Sequence, residues 1–267
     1  MSNLKIGLQL ISVKDLSPQD LCMVIEEVGK VGYQGVEFAR GYFGKTVAQL
    51  EESLKKSGMV AVSDHVFMEI MRERLNEVLD HCCKLNMKQV VALRGFSEHI
   101  TPCEERAYIE ELREMGKKCR QKGIKLAIHS STDYFQRDES GKSLFERILE
   151  QVEPELLEAQ VDTAWALCGG ENPADFIRKF KGRISTVHIK DFHPPVPAKG
   201  DIYQMRDEAS TRDSAVGDNG VQDIPAVLQA CEEAGTEWVI VEHIERDSYE
   251  NSLQATAVSL ANVRKYL

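Results

Sequence analysis

Short aliphatic and β-branched runs punctuate the chain at KIGLQL (5–10), GVEF (35–38), VAVSD (60–64), QVVAL (89–93), KLAIH (125–129), EAQVD (158–162), ISTVHIK (184–190) and WVIVEH (238–243). Their β-rich composition predicts eight strands. Between them the apolar residues fall at spacings of three and four, as in PQDLCMVIEEVGKVG (18–32), TVAQLEESLKKSG (46–58), ERAYIEELREMGKKCRQKG (105–123), NPADFIRKFKG (172–182) and DIPAVLQACEEAG (223–235). That periodicity predicts helices with one buried face. Several of them end in a glycine just ahead of the next strand (Gly32, Gly58, Gly123, Gly182, Gly235), as expected for a helix C-terminus.

The repeat of strand, loop, helix and glycine, with strands that read apolar on both faces, predicts an α/β chain folded as a closed (β/α)8 TIM barrel. The 267 residues suit one domain, expected to span 1–267. No G-x-G-x-x-G follows the first strand, which argues against a dinucleotide-binding sheet. One connection breaks the rhythm: residues 191–222 read as a long polar βα loop closing in VGDNGVQD, expected to act as a lid or binding loop.

Composition narrows the function classes. A net charge of −10 opposes a phosphate backbone, so no nucleic-acid partner is expected. The short basic clusters Lys117–Lys118 and Arg178–Lys179 read as solvated helix faces. No apolar run reaches the roughly 20 residues of a membrane span, and the first residues read as a strand rather than a secretory signal. Seven cysteines, an odd number with no C-x-x-C pair, argue against a disulfide framework or zinc knuckle and favour a cytoplasmic location.

In such a barrel the chemistry sits where strands end and βα loops begin. Those ends carry Glu37, Asp64 and His65, Arg94, His129, Asp162, His188 and Lys190, and Glu242 and His243. Two carboxylates with one or two histidines on one rim suit a divalent metal: Mn2+, Co2+ or Zn2+, and Mg2+ less well. Each residue also has a plainer reading. His188 could be satisfied by a backbone carbonyl, Asp162 could cap a helix, and Lys190 could reach past the rim to water. Glu242 is harder to explain this way, because a carboxylate ending a buried strand needs a partner. Glu37 and His65 read as pocket-lining or supporting groups. Arg94 and His193 are further rim candidates, whereas His81, His99 and His243 read as structural or exposed. The cysteines read as small core residues, Cys168 lying nearest the rim.

The stretches IGLQLISVKD, GYQGVEFARGYFG (32–44), VSDHV (62–66), VDTAW (161–165), GRISTVHIKDF (182–192), VGDNGVQDIPAVLQACEEAG (216–235) and WVIVEH resemble the xylose-isomerase-like barrels. That family includes sugar-phosphate isomerases and epimerases, inosose dehydratases and endonuclease IV DNA-repair enzymes, and the resemblance covers almost the whole chain. It implies that Asp162, His188 and Glu242 ligate one divalent metal, with Glu242 also a catalytic acid or base. It further implies that Lys190 and Asp191 face the substrate and that Trp165 takes a place relatives fill with an aromatic residue or histidine. Strand five departs from the pattern: where relatives carry a metal-binding glutamate, this chain reads IHSSTDYFQ (128–136). His129 is then the substitute ligand and second catalytic group, with Asp133 the alternative, and an imidazole there favours Mn2+, Co2+ or Zn2+ over Mg2+.

The expected activity is metal-dependent isomerisation or epimerisation of a sugar, keto-sugar or sugar phosphate by proton transfer through an enediolate. A dehydratase or lyase acting on a keto-sugar or keto-inositol through the same enediolate is the alternative. An endonuclease IV-like repair enzyme and a catalytically weak sugar-binding relative stand further off. The expected partner is a small carbohydrate; homo-oligomerisation stays open between dimer and tetramer.

Overall fold

The computed structural model describes residues 2–16, 20–95, 100–196, 202–244 and 249–267; His99 lies outside them. Eight parallel strands close a barrel: β1 (Lys5–Gln9), β2 (Gly35–Ala39), β3 (Val60–Phe67), β4 (Gln89–Leu93), β5 (Lys125–His129), β6 (Glu158–Asp162), β7 (Thr186–Ile189) and β10 (Trp238–Val241). β10 pairs with both β7 and β1, so no strand edge is left open. β4, β5 and β6 coincide with the strands expected at those positions, whereas β3 runs three residues further than VAVSD suggests and carries His65 within the strand.

The outer helices follow from local signals. Thr46 and Gln49 form a capping box at the start of Val47–Ser57, and Thr101 and Glu104 form another ahead of Pro102–Gln121. Gly58 (φ 68°) and Gly235 (φ 82°) terminate their helices in left-handed backbone, which a Cβ would oppose. Leucine, valine and isoleucine on the inner faces pack against the outward-facing strand residues, and the main core lies between these layers.

The interior of the barrel departs from the expectation of strands apolar on both faces. Its apolar content includes a small cluster of Val62, Trp238 and Ile240, with Val91 and Ala127 buried outside the outer core. Gly7 and Gly35 make room for the cluster, since a Cβ at either would lie 2.7 Å from Ile240 or Val62 respectively. Many of the other inward positions are polar: Gln89, Glu158 and Thr186 near the floor, then Glu37, Ser63 and Gln160, then the residues of the mouth. A register shift between Val36 and Glu37 opposite β3 brings Ser63 level with Glu37.

Residues 191–222 are not the structureless loop expected. An antiparallel ribbon, β8 (Asp191–Phe192) with β9 (Asp213–Ser214), brackets a helix over Ile202–Ser210. The Asp191 carboxylate organises the return by accepting hydrogen bonds from the backbone N–H groups of Phe192, Gly217, Val221 and Gln222 at 2.8–3.1 Å. Gly220 leaves the space this carboxylate fills.

One close approach gives a signed prediction. Gly116 lies mid-helix, where alanine ordinarily stabilises by about 1 kcal/mol, but a Cβ there would overlap the Leu156 carbonyl oxygen. Gly116→Ala should therefore lower unfolding free energy by about 1–3 kcal/mol, measured by denaturant titration; a gain would show that the helix can shift away from Leu156.

Candidate metal centre

At the C-terminal mouth the period-two alternation of the strands aims Asp162 from β6, His188 from β7, Lys190 just beyond it and Glu242 at the end of β10 toward one point. All four are buried. Asp162 does cap the helix Thr163–Cys168: its Oδ1 accepts from the backbone N–H groups of Ala164 (2.9 Å) and Trp165 (3.0 Å). Its Oδ2, buried, has no hydrogen-bond partner. His188 Nδ1 faces Glu242 Oε2 at 2.8 Å, an ion pair when the imidazole is protonated, though it falls outside hydrogen-bond geometry. Capping and ligation are thus compatible roles for the two oxygens of one aspartate.

Among the described residues two groups of three possible metal donors converge, each with its ligand atoms within 4.8 Å of one another: Asp162, His188 and Glu242, and His65, His129 and His188. The three imidazole rings stand 4.7–5.1 Å apart between centroids. Below them, Glu37 receives His188 Nε2 at 2.5 Å, Ser63 Oγ at 2.6 Å and Gln160 Nε2 at 2.7 Å. The Gln160 side-chain oxygen in turn meets His65 Nε2 at 2.6 Å and His129 Nδ1 at 3.1 Å. Buried acids and imidazoles converging on one point, with Asp162 Oδ2 unpaired, fit a divalent cation by charge and by donor type.

The electrostatics divide the groups by role. Burial works against ionisation of Glu37, but the neighbouring His65 and His188 more than offset it and hold the carboxyl down to about 2. Burial likewise opposes a charged His188, yet Glu37 and Glu242 push it up to about 10, so without metal a proton occupies this histidine. Burial and the charge of Glu242 raise Asp162, while Lys190 and His188 overcome burial to hold Glu242 well below the usual carboxylate range. His129 is driven well down by burial and then by the charges of His65 and His188, which leaves a neutral imidazole. Lys190 stays charged despite its burial because it faces Asp213 (3.4 Å) and Glu242 (3.1 Å); its ammonium also sits 5.4 Å from the centre of the Trp165 ring.

Other expected residues fall elsewhere. Asp191, expected to face the substrate, is buried in the return of the ribbon with its carboxylate occupied by backbone amides, so it is a loop-organising residue. Asp133, the alternative strand-five ligand, is paired with Arg94 and accepts from Ser131, away from both donor groups. Asp64 is held by the Tyr42 hydroxyl at 2.7 Å. His193 is partly buried and enters the ribbon through its backbone N–H, which donates to Arg212 O at 2.8 Å. Of the histidines expected to be structural or exposed, His243 is buried and His81 lies beside Tyr42. Burial raises the Cys168 thiol to about 12, so it is an inert core group.

Gln160, Gln9 and Asp213 were not anticipated. Gln160 shares the inward face with Asp162 two residues on, so alternation could have exposed it, as could the Gln9 contact with His65 Nδ1 at 3.2 Å. Asp213 reaches Lys190 only through the ribbon and leaves no pattern in the sequence. The cleft over the centre measures about 310 Å³. A larger concavity of about 490 Å³ at the opposite end of the barrel, around Lys88, Lys125 and Trp238, contains neither donor group. No helix among the described residues is long and apolar enough to cross a membrane.

Comparison with known proteins agrees with this architecture. An inosose dehydratase of Geobacillus kaustophilus is 24% identical over 256 residues, covering 82% of this chain and 78% of that protein. A sugar phosphate isomerase/epimerase from Parabacteroides distasonis superposes with a TM-score of 0.79 at 18% identity, covering 98% of this chain and 93% of that one. The IOLI protein, whose crystal structure carries a bound zinc atom, does so with a TM-score of 0.76 at 19% identity over 99% of each chain. The profile of the xylose isomerase-like TIM barrels matches residues 25–266, and the chain belongs to that family.

Proposed function

We propose that this protein is a metal-dependent enzyme that moves a proton at a carbon next to the carbonyl of a carbohydrate. The observation that carries the proposal is the convergence of the unpaired Asp162 Oδ2 with His188 and the Glu242 carboxylate, whose ligand atoms lie within 4.8 Å of one another at the barrel mouth. Asp162, His188 and Glu242 would hold the cation, with His129 adding a neutral imidazole that favours Zn2+, Mn2+ or Co2+ over Mg2+. A divalent ion bound there supplies Lewis-acid stabilisation of an enediolate.

The chain's own residues supply the rest. Glu242, held ionised by Lys190 and His188, stands as the proton acceptor, and the neutral His129 is the second group able to carry a proton. The buried Lys190 ammonium offers a hydrogen bond to developing oxyanion charge, and Trp165 forms an apolar wall beside it. Glu37 and His65 would sustain the imidazole array from below.

Removing the proton leaves its electron pair in an enediolate. Returning a proton to the neighbouring carbon isomerises the sugar, and returning it to the opposite face epimerises it. Alternatively the enediolate expels a β-hydroxyl, which takes up a proton and leaves as water, giving an unsaturated ketone. The likeness to inosose dehydratases, together with a strand five that lacks the second glutamate the family resemblance implies, favours the elimination over the isomerisation with which it shares its first step.

Two measurements test the reading. Elemental analysis of purified protein should find about one Zn, Mn or Co per chain, lost in His188→Ala; a variant that keeps its metal would move the ligand set elsewhere. Metal-loaded protein incubated with keto-inositols and ketoses in D2O should exchange the proton next to the carbonyl or produce an enone absorbance, with Glu242→Gln slower by about 10²–10⁴-fold. Unchanged turnover in that variant would remove Glu242 from the proton transfer.

A further inference from the structure

Three arginines from three separate elements line the cleft above the centre: Arg40 after β2, Arg94 after β4 and Arg206 on the helix Ile202–Ser210. They share it with Trp165, His129 and Glu242. Arg94 is matched by Asp133 and lies against the Tyr134 ring. Arg40 is exposed and forms no ion pair among the described residues. Its backbone sits at φ 63°, followed by Gly41 at φ 77°. Left-handed backbone costs a residue with a Cβ roughly 1–2 kcal/mol, and such strain concentrates where a side chain is held for a ligand.

Glu242 lines the same cleft, its carboxylate held by Lys190 at 3.1 Å and facing His188 at 2.8 Å. A chain of net charge −10 nonetheless gathers three arginines around this one small cleft. Arginine pairs with planar or tetrahedral oxyanions through two parallel hydrogen bonds, a geometry that neutral hydroxyls do not match.

We infer that the substrate carries an anionic group, a phosphate or a carboxylate, at the end remote from its reacting carbonyl, gripped by Arg40 and Arg206 with Arg94 beside them. This deepens the proposed function and rests on it for placing the carbonyl at the metal. The helix bearing Arg206 belongs to the segment pinned by Asp191, so the anion end is read by the βα connection that follows β7.

Calorimetric titration with inorganic phosphate and, separately, with acetate tests the inference, on protein as purified and on protein stripped of metal by a chelator. At least one anion should bind with and without metal, and Arg40→Gln/Arg206→Gln should weaken it about tenfold or more, with Arg40→Gln alone in between. Tighter phosphate binding assigns a phosphorylated substrate, and acetate binding as tight or tighter assigns a carboxylated one. Failure of both anions to bind, or equal binding by the double variant, would overturn the inference. The metal reading fails separately, by absence of metal from protein that still binds the anion.

Discussion

The interior of this barrel is organised around charge removed from water. Glu37, Asp162, His188, Lys190 and Glu242 are buried together where an unpaired ion would cost several kcal/mol. The fold answers with a hydrogen-bonded column that runs from Gln89 and Thr186 through Gln160 and Glu37 to the imidazoles of the mouth. Each member fixes the orientation of the next, so the donors are placed by packing and hydrogen bonds rather than by flexible loops. At the top of the column Asp162 Oδ2 is left without a partner beside His188 and Glu242, and this is where the proposed cation would complete it.

The excursion after β7 is bound to the same network. Asp213, on the second strand of the ribbon, contacts Lys190 and accepts from the backbone N–H of Ile244 just past Glu242. Thr163 Oγ1 accepts from the Lys190 backbone N–H at 3.1 Å and so joins the end of β6 to the end of β7. The residues that would close over a substrate are therefore tied directly to those that would act on it.

Much of this was legible in the chain. The strands were readable because runs of apolar residues on the outward faces of a parallel barrel are nearly continuous, and the chemical residues were readable because they interrupt those runs at the strand ends. The lumen was harder: Glu158-Gln160-Asp162 and Thr186-His188-Lys190 are period-two polar sets inside strands dense enough in valine and isoleucine to look apolar on both faces. The same alternation bears on Asp191, which follows an inward Lys190 and so starts on the opposite face, although the motif it sits in suggests a substrate contact. The helix within 191–222 was hidden by a polar composition that reads as loop, and Asp213 by a contact with no sequence spacing. The absent strand-five glutamate was plain, but only the packing of His129 against His65 and His188, and of Asp133 against Arg94, shows which way each side chain turns.

The central claim is that Asp162, His188 and Glu242 hold one divalent ion. Anomalous diffraction from crystals of the protein grown with Zn2+ or Mn2+, collected on both sides of the metal's absorption edge, locates it directly. The account predicts one strong peak within bonding distance of Asp162 Oδ2, His188 and Glu242. A peak seated instead among His65, His129 and Glu37, or no peak at the mouth, would contradict it.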